Sequence, residues 1–320
     1  MSIARTWKGF ALLALSACTT ADQPVSPPPP SVVGRWDLTI QGPTDTFPGW
    51  LEVRRDSAGI SGRLQWGWGH ATPIVAVKDS GGAFEFSWPN EGDTTKAASH
   101  ATGMVADSSG ALMVRGMVHG GDGTSYTIVG MVAPELATVP GDTAAWGAPI
   151  DLLANGLEAW HPRGEKNGWS LTKGVLGNAP PSSDLISNQA FENFKLHLEV
   201  NVPPGGNSGI YLRGRHEVQV LDSYGKPAGS REMGGVYGQV TPSVNAAKKP
   251  GEWQSYDITF VGRRVKVVLN GTTIIDFAEI PGITGGALDS REAEAGPIML
   301  QGDHTGVRYR NITIQPAVKQ

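Results

Sequence analysis

The segment PPGGNSGIYLRGRHEVQVLDSYG, residues 203–225, carries the clearest strand pattern of the chain. A Gly-rich turn precedes an alternating run at residues 210–213, and after Gly214 a second alternating run covers residues 216–221. Successive side chains of a strand point to opposite faces, so this strand pair is expected to separate apolar from polar residues. The predicted apolar face comprises Ile210, Leu212, Val218 and Val220, and the predicted polar face comprises Tyr211, Arg213, Glu217 and Gln219. An acid, a guanidinium, an amide and a phenol beside a Gly-rich bend predict a functional site.

The composition of the whole chain favours an all-β protein. Its 320 residues include 43 Gly and 23 Pro but only 18% charged residues, a balance typical of many turns and short strands. A chain of this length has room for about two domains. The formal net charge of -4 argues against nucleic-acid binding through a basic surface.

The N-terminus has the pattern of a secretory leader. Arg5 and Lys8 precede an apolar run at residues 10–15 that is too short to span a bilayer. The motif LSAC, residues 15–18, resembles a bacterial lipobox, so we expect a signal peptide at residues 1–17 and lipidation of Cys18, the single cysteine. Thr19 after the cysteine favours a lipid anchor in the outer membrane, facing the periplasm. The alternative is an ordinary leader that contains a cysteine.

Two globular segments follow the leader. Residues 18–31 are expected to form an extended Pro-rich linker. Residues 32–136 contain about eight short alternating runs, which predict a small antiparallel barrel or sandwich. The loop WGWGH, residues 66–70, is interpreted there as a turn with surface side chains rather than as a ligand site. A Pro-Gly break at residues 139–142 predicts the boundary of this domain.

The second segment, residues 145–316, predicts a two-sheet sandwich. Its strand patterns are longer, including one across residues 169–176, and no long amphipathic helix interrupts them. Asn270-Gly271 between two apolar runs is a strong hairpin signal, because both residues tolerate positive φ.

Five linked motifs occur in this segment, in the chain order WSLTKGVL (169–176), PPGGNSGIYLRG (203–214), EVQVLD (217–222), GEW (251–253) and LQGDH (300–304). Together they resemble the 3-keto-disaccharide hydrolase family over residues 149–316. The resemblance implies a concanavalin A-like jelly roll that acts on glycosides whose sugar is oxidised at C3.

The chemistry of such a substrate suggests roles for three residues. A C3 ketone acidifies the C2 proton, so a base can form an enolate, the C1 substituent can leave, and water can add to the resulting enone. Glu217 is the expected base because its strand position puts it on the polar face. Arg213, expected on the same face, is assigned to the enolate, or else forms only a cross-strand ion pair with Glu217. His304 is the second acid or base candidate or, alternatively, a turn residue.

Further residues are expected to bind the sugar. The amides of Gln219 and Gln301 suit sugar hydroxyls. Asp222 shares the parity of the core residues, so it contributes only if the strand ends or bulges before it. Trp253 opens a strand and fits either a core position or a sugar platform. The predicted substrate-binding residues are Asn207, Tyr211, Gln219, Asp222, Tyr237, Trp253 and Gln301.

Two other functions stay open at this stage. Retaining jelly-roll glucanases have the motif Glu-x-Asp-x-x-Glu, and Glu217-x-Gln219-x-x-Asp222 has similar spacing. The amide of Gln219 in place of the middle carboxylate favours elimination over double displacement. A non-catalytic glycan-binding lipoprotein is the other alternative. We expect no metal and no cofactor, although Asp303, His304 and Glu217 could meet in space.

Overall fold

The computed structural model describes residues 29–90, 95, 97–136 and 145–318. The predicted signal peptide, Cys18, most of the Pro-rich linker and the predicted break at residues 139–142 lie outside this range. Within it the chain forms 21 strands and one short 3-10 helix, Gly156–Ala159, so the predicted all-β fold class is confirmed. No helix in the described part is long and apolar enough to cross a membrane.

The first eight strands form a closed antiparallel barrel. Each strand pairs with the next, and β8 closes onto β1. Alternate residues point into the barrel, as in β5, where Phe84, Phe86 and Trp88 are buried in its core. Closure removes the free edges that an open sheet of this size would expose. The strands are β1 (Gly34–Gln41), β2 (Thr46–Asp56), β3 (Gly59–Trp66), β4 (Thr72–Ser80), β5 (Ala83–Trp88), β6 (Ser99–Ser108), β7 (Ala111–His119) and β8 (Ser125–Val132).

The remaining strands form a jelly-roll sandwich of two sheets around one apolar core. The five-stranded sheet has the order β10-β13-β20-β15-β16, and its strands are β10 (Trp160–Pro162), β13 (Leu185–Phe191), β20 (Gly296–Leu300), β15 (Asn207–Leu212) and β16 (His216–Leu221). The larger sheet has the order β11-β12-β21-β14-β17-β18-β19, with β9 paired to β21. Its strands are β9 (Ile150–Asp151), β11 (Trp169–Thr172), β12 (Val175–Asn178), β14 (Phe194–Asn201), β17 (Trp253–Val261), β18 (Arg264–Leu269), β19 (Thr272–Glu279) and β21 (Arg308–Pro316).

The apolar face predicted for residues 203–225 is confirmed. Ile210, Leu212, Val218 and Val220 are fully buried in the sandwich core, and β15 pairs with β16 so that Tyr211 lies opposite Glu217. The free edge of β16 is covered by residues 234–240, which exchange backbone hydrogen bonds with its residues. This cover protects the edge and brings a further loop over the polar face.

Backbone conformation decides two hairpins. Asn270 and Gly271 have φ of 51° and 80° between β18 and β19, as predicted. The prediction of one strand across residues 169–176 is wrong. Lys173 and Gly174 also have positive φ, 50° and 76°, and turn the chain back so that β11 pairs with β12.

The loop between β19 and β20, residues 280–295, is packed between the two domains and is called the interdomain loop below. The indole nitrogen of Trp50, in the barrel, donates to the carbonyl of Ile283 at 2.7 Å. The backbone nitrogen of Gly285 donates to the carbonyl of Gly69 at 3.1 Å. The barrel and the sandwich therefore meet through backbone groups of this loop.

A buried ion cluster fixes the same loop. The carboxylate of Glu292 is fully buried, and its Oε2 accepts hydrogen bonds from Nε and Nη2 of Arg263 at 2.9 and 2.6 Å. Nη2 of Arg35, on β1 of the barrel, lies 3.5 Å from the same oxygen. Arg263 also donates to the carbonyl of Pro134 at the end of the barrel, at 3.0 Å. One carboxylate thus balances two guanidinium groups from different domains.

Glu292→Gln is expected to lower the free energy of unfolding by about 3–5 kcal/mol, because it leaves the buried guanidinium of Arg263 without its counter-charge and removes the carboxylate nearest to the half-buried Arg35. Urea denaturation followed by tryptophan fluorescence measures the change. Glu294→Gln is the matched control, since its ion pair with Arg291 joins two exposed side chains and contributes at most about 1 kcal/mol. Equal midpoints for the two variants would contradict the role assigned to Glu292.

Candidate active site

A cavity of about 480 Å³ lies over the polar face of β15 and β16, between the sandwich and one loop of the barrel. The described lining includes most of the residues predicted for the site: Asn207, Tyr211, Glu217, Gln219, Tyr237, Gln301 and His304. Their roles stay predictions. Strand parity predicted the shared face of Tyr211, Glu217, Gln219 and Gln301. Asn207 lies at the start of β15, while Tyr237 and His304 reach the cavity from loops.

Glu217 is held on the cavity floor by the pairing of β15 with β16. Its side chain is buried, with 5% of the residue exposed, and crosses onto β15 above Gly209. A Cβ at Gly209 would lie 2.4 Å from Oε1 of Glu217, so only glycine leaves room for the carboxyl group. The backbone nitrogen of Glu217 donates to Oγ1 of Thr284 at 3.1 Å, which ties this strand to the interdomain loop.

Burial raises the pKa of Glu217 to about 8. The hydroxyl group of Tyr211 opposes this rise, whereas the nearby carboxylates of Asp184 and Asp303 add to it. The carboxyl group is therefore largely protonated at neutral pH and becomes ionised at mildly alkaline pH.

The hydroxyl group of Tyr211 can serve either protonation state of Glu217. It lies 3.1 Å from Oε2 of Glu217 and 2.8 Å from the carbonyl oxygen of Gly285. The Gly285 carbonyl can only accept a hydrogen bond, so the phenol must donate its single proton to it. The contact between the phenol oxygen and Glu217 is then a hydrogen bond only when Glu217 is protonated and donates. Once Glu217 is ionised, the phenol proton can turn to the carboxylate. The pair thus keeps its hydrogen bond through a proton transfer.

Amide side chains provide unpaired acceptors around this carboxyl group. Oδ1 of Asn207 and Oε1 of Gln301 are buried and have no hydrogen-bond partner among the described residues. Oε1 of Gln219 accepts from the backbone nitrogen of Val220 at 2.9 Å, which fixes that side chain. Buried acceptors without donors suit a ligand rich in hydroxyl groups, because an unpaired buried polar atom costs free energy.

A histidine and an arginine reach the cavity from its rim. Nδ1 of His304 lies 2.8 Å from Oδ1 of Asp303, and both side chains are partly exposed. Arg231 also lines the cavity and contacts the ring of His70, from the barrel. Tyr237 lies across from that ring at 6.5 Å, centroid to centroid.

The barrel contributes Trp68 and Gly69 to the lining, which the sequence interpretation missed. The sequence predicts a surface turn for residues 66–70. No local pattern could show that it meets the interdomain loop, since that contact joins residues more than 200 positions apart. Asp184, whose pKa is raised by burial, and Arg231 were also missed, because both lie in loops, where strand alternation gives no direction for a side chain.

The placement of Arg213 beside Glu217 is wrong. The strand β15 ends at Leu212, and Arg213 takes a φ of 52° in the turn to β16, which removes it from the alternation. Its guanidinium is buried away from the cavity, where it packs on the ring of Phe260 and donates to the carbonyl of Glu292 at 3.1 Å. Arg213 therefore supports the turn and the interdomain loop.

Two other predicted binding residues lie outside the cavity lining. Oδ2 of Asp222 accepts from the backbone nitrogen of Gly205 at 2.9 Å, so this carboxylate caps the Gly-rich turn. Trp253 is half-buried on the larger sheet, with the guanidinium of Arg310 4.0 Å from its ring centroid. Trp253 is therefore not a buried core residue, and its predicted role as a sugar platform stays a prediction.

No group of three or more metal-ligating side chains occurs in the described part of the chain. Glu217, Asp303 and His304 do line one cavity, but they do not form such a group.

Known proteins place the chain in a family. No curated protein matches the sequence. A candidate glycosyl hydrolase from Parabacteroides distasonis ATCC 8503 is 31% identical over 57% of this chain and 93% of its own, with a TM-score of 0.46. A second such structure from the same organism is 27% identical over 52% of this chain and 98% of its own, with a TM-score of 0.42.

A family model matches most of the sandwich, and this family agrees with the one predicted from the motifs. Residues 149–315, more than half of the chain, match the 3-keto-alpha-glucoside-1,2-lyase-like domain, and the protein belongs to this family of carbohydrate-active proteins.

Proposed function

We propose that this protein cleaves the glycosidic bond of glycosides oxidised at C3, by elimination followed by hydration, with Glu217 as the base. The observation that carries the proposal is a buried carboxyl group with a pKa of about 8, facing a cavity with unpaired amide oxygens. The family of the chain supports the substrate class.

The reaction starts at C2 of the oxidised sugar. Glu217 takes the C2 proton, and the electron pair of that C–H bond forms an enolate with the C3 carbonyl. When the enolate collapses, a double bond forms between C1 and C2, the bond from C1 to the glycosidic oxygen breaks, and that oxygen takes a proton. Water then adds its hydroxyl group to C1 and a proton to C2, so the net result is hydrolysis.

A high pKa suits this base. The proton on a carbon next to a ketone is far less acidic than an ordinary carboxylic acid, and a stronger base removes it faster. A base whose pKa lies near the working pH combines strength with a useful ionised fraction. Burial of Glu217 supplies that strength, and Tyr211 keeps the site hydrogen-bonded before and after the transfer.

Arg231 takes the role that the sequence assigned to Arg213. Its guanidinium lines the cavity, where a positive charge favours the negative charge that develops on the C3 oxygen.

His304 is the proposed proton donor to the leaving group. Its Nδ1 is held by Asp303, which leaves Nε2 for proton exchange. Its position on the exposed rim gives it access to solvent protons.

The two alternatives fit the site less well. The glucanase pattern needs Asp222 as a partner of Glu217, but Asp222 caps a turn outside the cavity lining. A purely glycan-binding role accounts for the amide oxygens but gives no reason for a carboxyl group with a raised pKa beside a phenol.

Glu217→Gln is expected to lower kcat for a 3-keto-glucoside by about 10²–10⁴, because it removes the base but keeps the size and polarity of the side chain. Release of free sugar and enone absorbance measure the rate, and calorimetric titration with the same substrate measures binding. Binding should persist in the variant.

Asp222→Asn is the matched control, and it should keep its activity because an amide oxygen can still cap Gly205. Loss of activity in Asp222→Asn would support the glucanase mechanism instead. Absence of turnover by the unaltered protein with every 3-keto-glycoside would favour the binding protein.

The pH dependence of kcat/KM is expected to show a rising limb that levels off at about pH 8. Glu217 acts only when ionised, so below its pKa the rate should fall about tenfold per pH unit. Tyr211→Phe removes the donor that opposes the rise in the pKa of Glu217, so its limb should move to higher pH. A limb centred near pH 4–5 would show that the titrating group is an ordinary exposed carboxylate.

We also propose that the protein is lipid-anchored at Cys18 in the periplasm, on the basis of the LSAC motif. Expression of the full chain in a diderm bacterium should place it in the membrane fraction, and Cys18→Ala should prevent lipidation and leave the protein out of that fraction. Labelling with a radioactive fatty acid measures the attachment. A Cys18→Ala protein that stays in the membrane fraction with its label would refute the anchor.

A further inference from the structure

The open end of the barrel contains a second cavity, of about 600 Å³, next to the candidate active site. We call it the barrel mouth, and four aromatic side chains define it: Phe47, Trp66, Trp68 and Tyr126. Polar groups of Asp45 and Thr124 lie in the same lining. Its volume falls in the range of small-molecule sites, which typically combine apolar walls with a few polar groups.

Three of these rings are fixed by contact with one another. The ring of Trp66 lies edge-on to Tyr126 at 4.9 Å and to the buried Trp88 at 5.3 Å, centroid to centroid. Phe47 completes the set, 6.0 Å from Tyr126. A ligand that stacks on rings already held in place loses little free energy to ordering them.

Trp68 connects the barrel mouth to the candidate active site, since it lines both cavities. Gly67 and Gly69, with φ of 70° and 88°, turn the chain sharply on either side of it and present its indole, which is 75% exposed. The backbone contact of Gly69 with the interdomain loop holds the turn in place.

The indole of Trp68 also lies close to the proposed catalytic pair. A Cβ built on Gly286 would be 3.4 Å from Cζ3 of Trp68 and 2.9 Å from the hydroxyl oxygen of Tyr211. A molecule that contacts Glu217 through the first cavity therefore meets Trp68 as it extends towards the barrel.

The chemistry of the mouth fits a sugar ring. The C–H faces of a pyranose pack on aromatic rings, while its hydroxyl groups require hydrogen-bond partners at the edge, which Asp45 and Thr124 can provide. The negative charge of Asp45 in the same lining disfavours an anionic ligand, because like charges repel.

From this geometry we propose that the barrel mouth binds the leaving-group sugar of a disaccharide whose oxidised ring lies at Glu217. The barrel lies outside residues 149–315, which match the family's domain, so this subsite is an addition to that domain. This assignment of the occupant rests on the proposed function, whereas the presence of a sugar subsite does not.

Comparison of two substrates tests the proposal. For the unaltered protein, kcat/KM should be at least about tenfold higher with 3-keto-trehalose than with methyl 3-keto-α-glucoside, which has no second ring. Phe47→Ala and Asp45→Ala should each lower kcat/KM for the disaccharide about tenfold and change it less than about twofold for the methyl glucoside. Such a tenfold loss corresponds to ~1.4 kcal/mol.

Met131→Ala is the matched control, because Met131 is an exposed apolar residue near the far end of the strand that carries Tyr126. It should behave as the unaltered protein with both substrates. Equal losses with both substrates, or no loss in either mouth variant, would overturn the proposal.

A binding measurement separates this proposal from the catalytic one. Quenching of tryptophan fluorescence by non-oxidised trehalose and by methyl α-glucoside needs no ketone and no turnover. If neither keto substrate is cleaved, the proposed reaction fails. The subsite is still supported if trehalose binds more tightly than methyl α-glucoside and Phe47→Ala abolishes that difference. Equal affinity for the two sugars in that case overturns the subsite as well.

Discussion

The Glu292 carboxylate is the contact on which the arrangement of the two domains depends. It sits fully buried between a guanidinium of the sandwich and one of the barrel, and it belongs to the loop that runs between them. Taking these charges out of water is costly, and a buried ion pair is a poor source of net stability compared with apolar packing. What the cluster does provide is a defined geometry, because any other position of the loop leaves a charge unpaired.

The interdomain loop also contacts the candidate active site, at Glu217 and Tyr211. Thr284 accepts from the backbone of Glu217, Gly285 accepts from Tyr211, and the next contact of Gly285 is with Gly69 of the barrel. The burial that raises the pKa of Glu217 is therefore shared by the sandwich core below and the loop above. The raised pKa of Glu217 is therefore a property of the assembled chain rather than of one strand.

Strand alternation was enough to predict the central part of this site. Tyr211, Glu217 and Gln219 were predicted to share a face because the period of two depends only on local backbone geometry. The same argument failed for Arg213, one residue beyond the end of β15, where a positive φ reverses the direction of the side chain. Sequence alternation does not mark the residue at which a strand stops.

Other parts could not be predicted because they involve distant contacts. The apolar runs implied a small β-domain, yet nothing in them indicated that the barrel would meet the sandwich at Trp68 and Gly69. Trp253 was ambiguous for a related reason, because an aromatic residue at the start of a strand looks the same whether its face meets the core, a ligand or an arginine. Parity within a strand and the hairpin at Asn270-Gly271 follow from local sequence, while the packing of whole domains adds information that no short segment contains.

The turn that carries Trp68 belongs to the barrel, whereas Glu217 belongs to the sandwich, so ligand contact and chemistry are proposed to lie in different domains. Tyr211 and Glu217 lie on paired strands of the sandwich, while the surface proposed to meet the rest of the ligand belongs to a loop of a different domain. Replacement of that loop can alter which ligand fits, while the pairing of β15 with β16, on which Tyr211 and Glu217 lie, stays the same. If the barrel mouth binds the second ring as proposed, selectivity can diverge in the barrel while the proposed reaction stays the same.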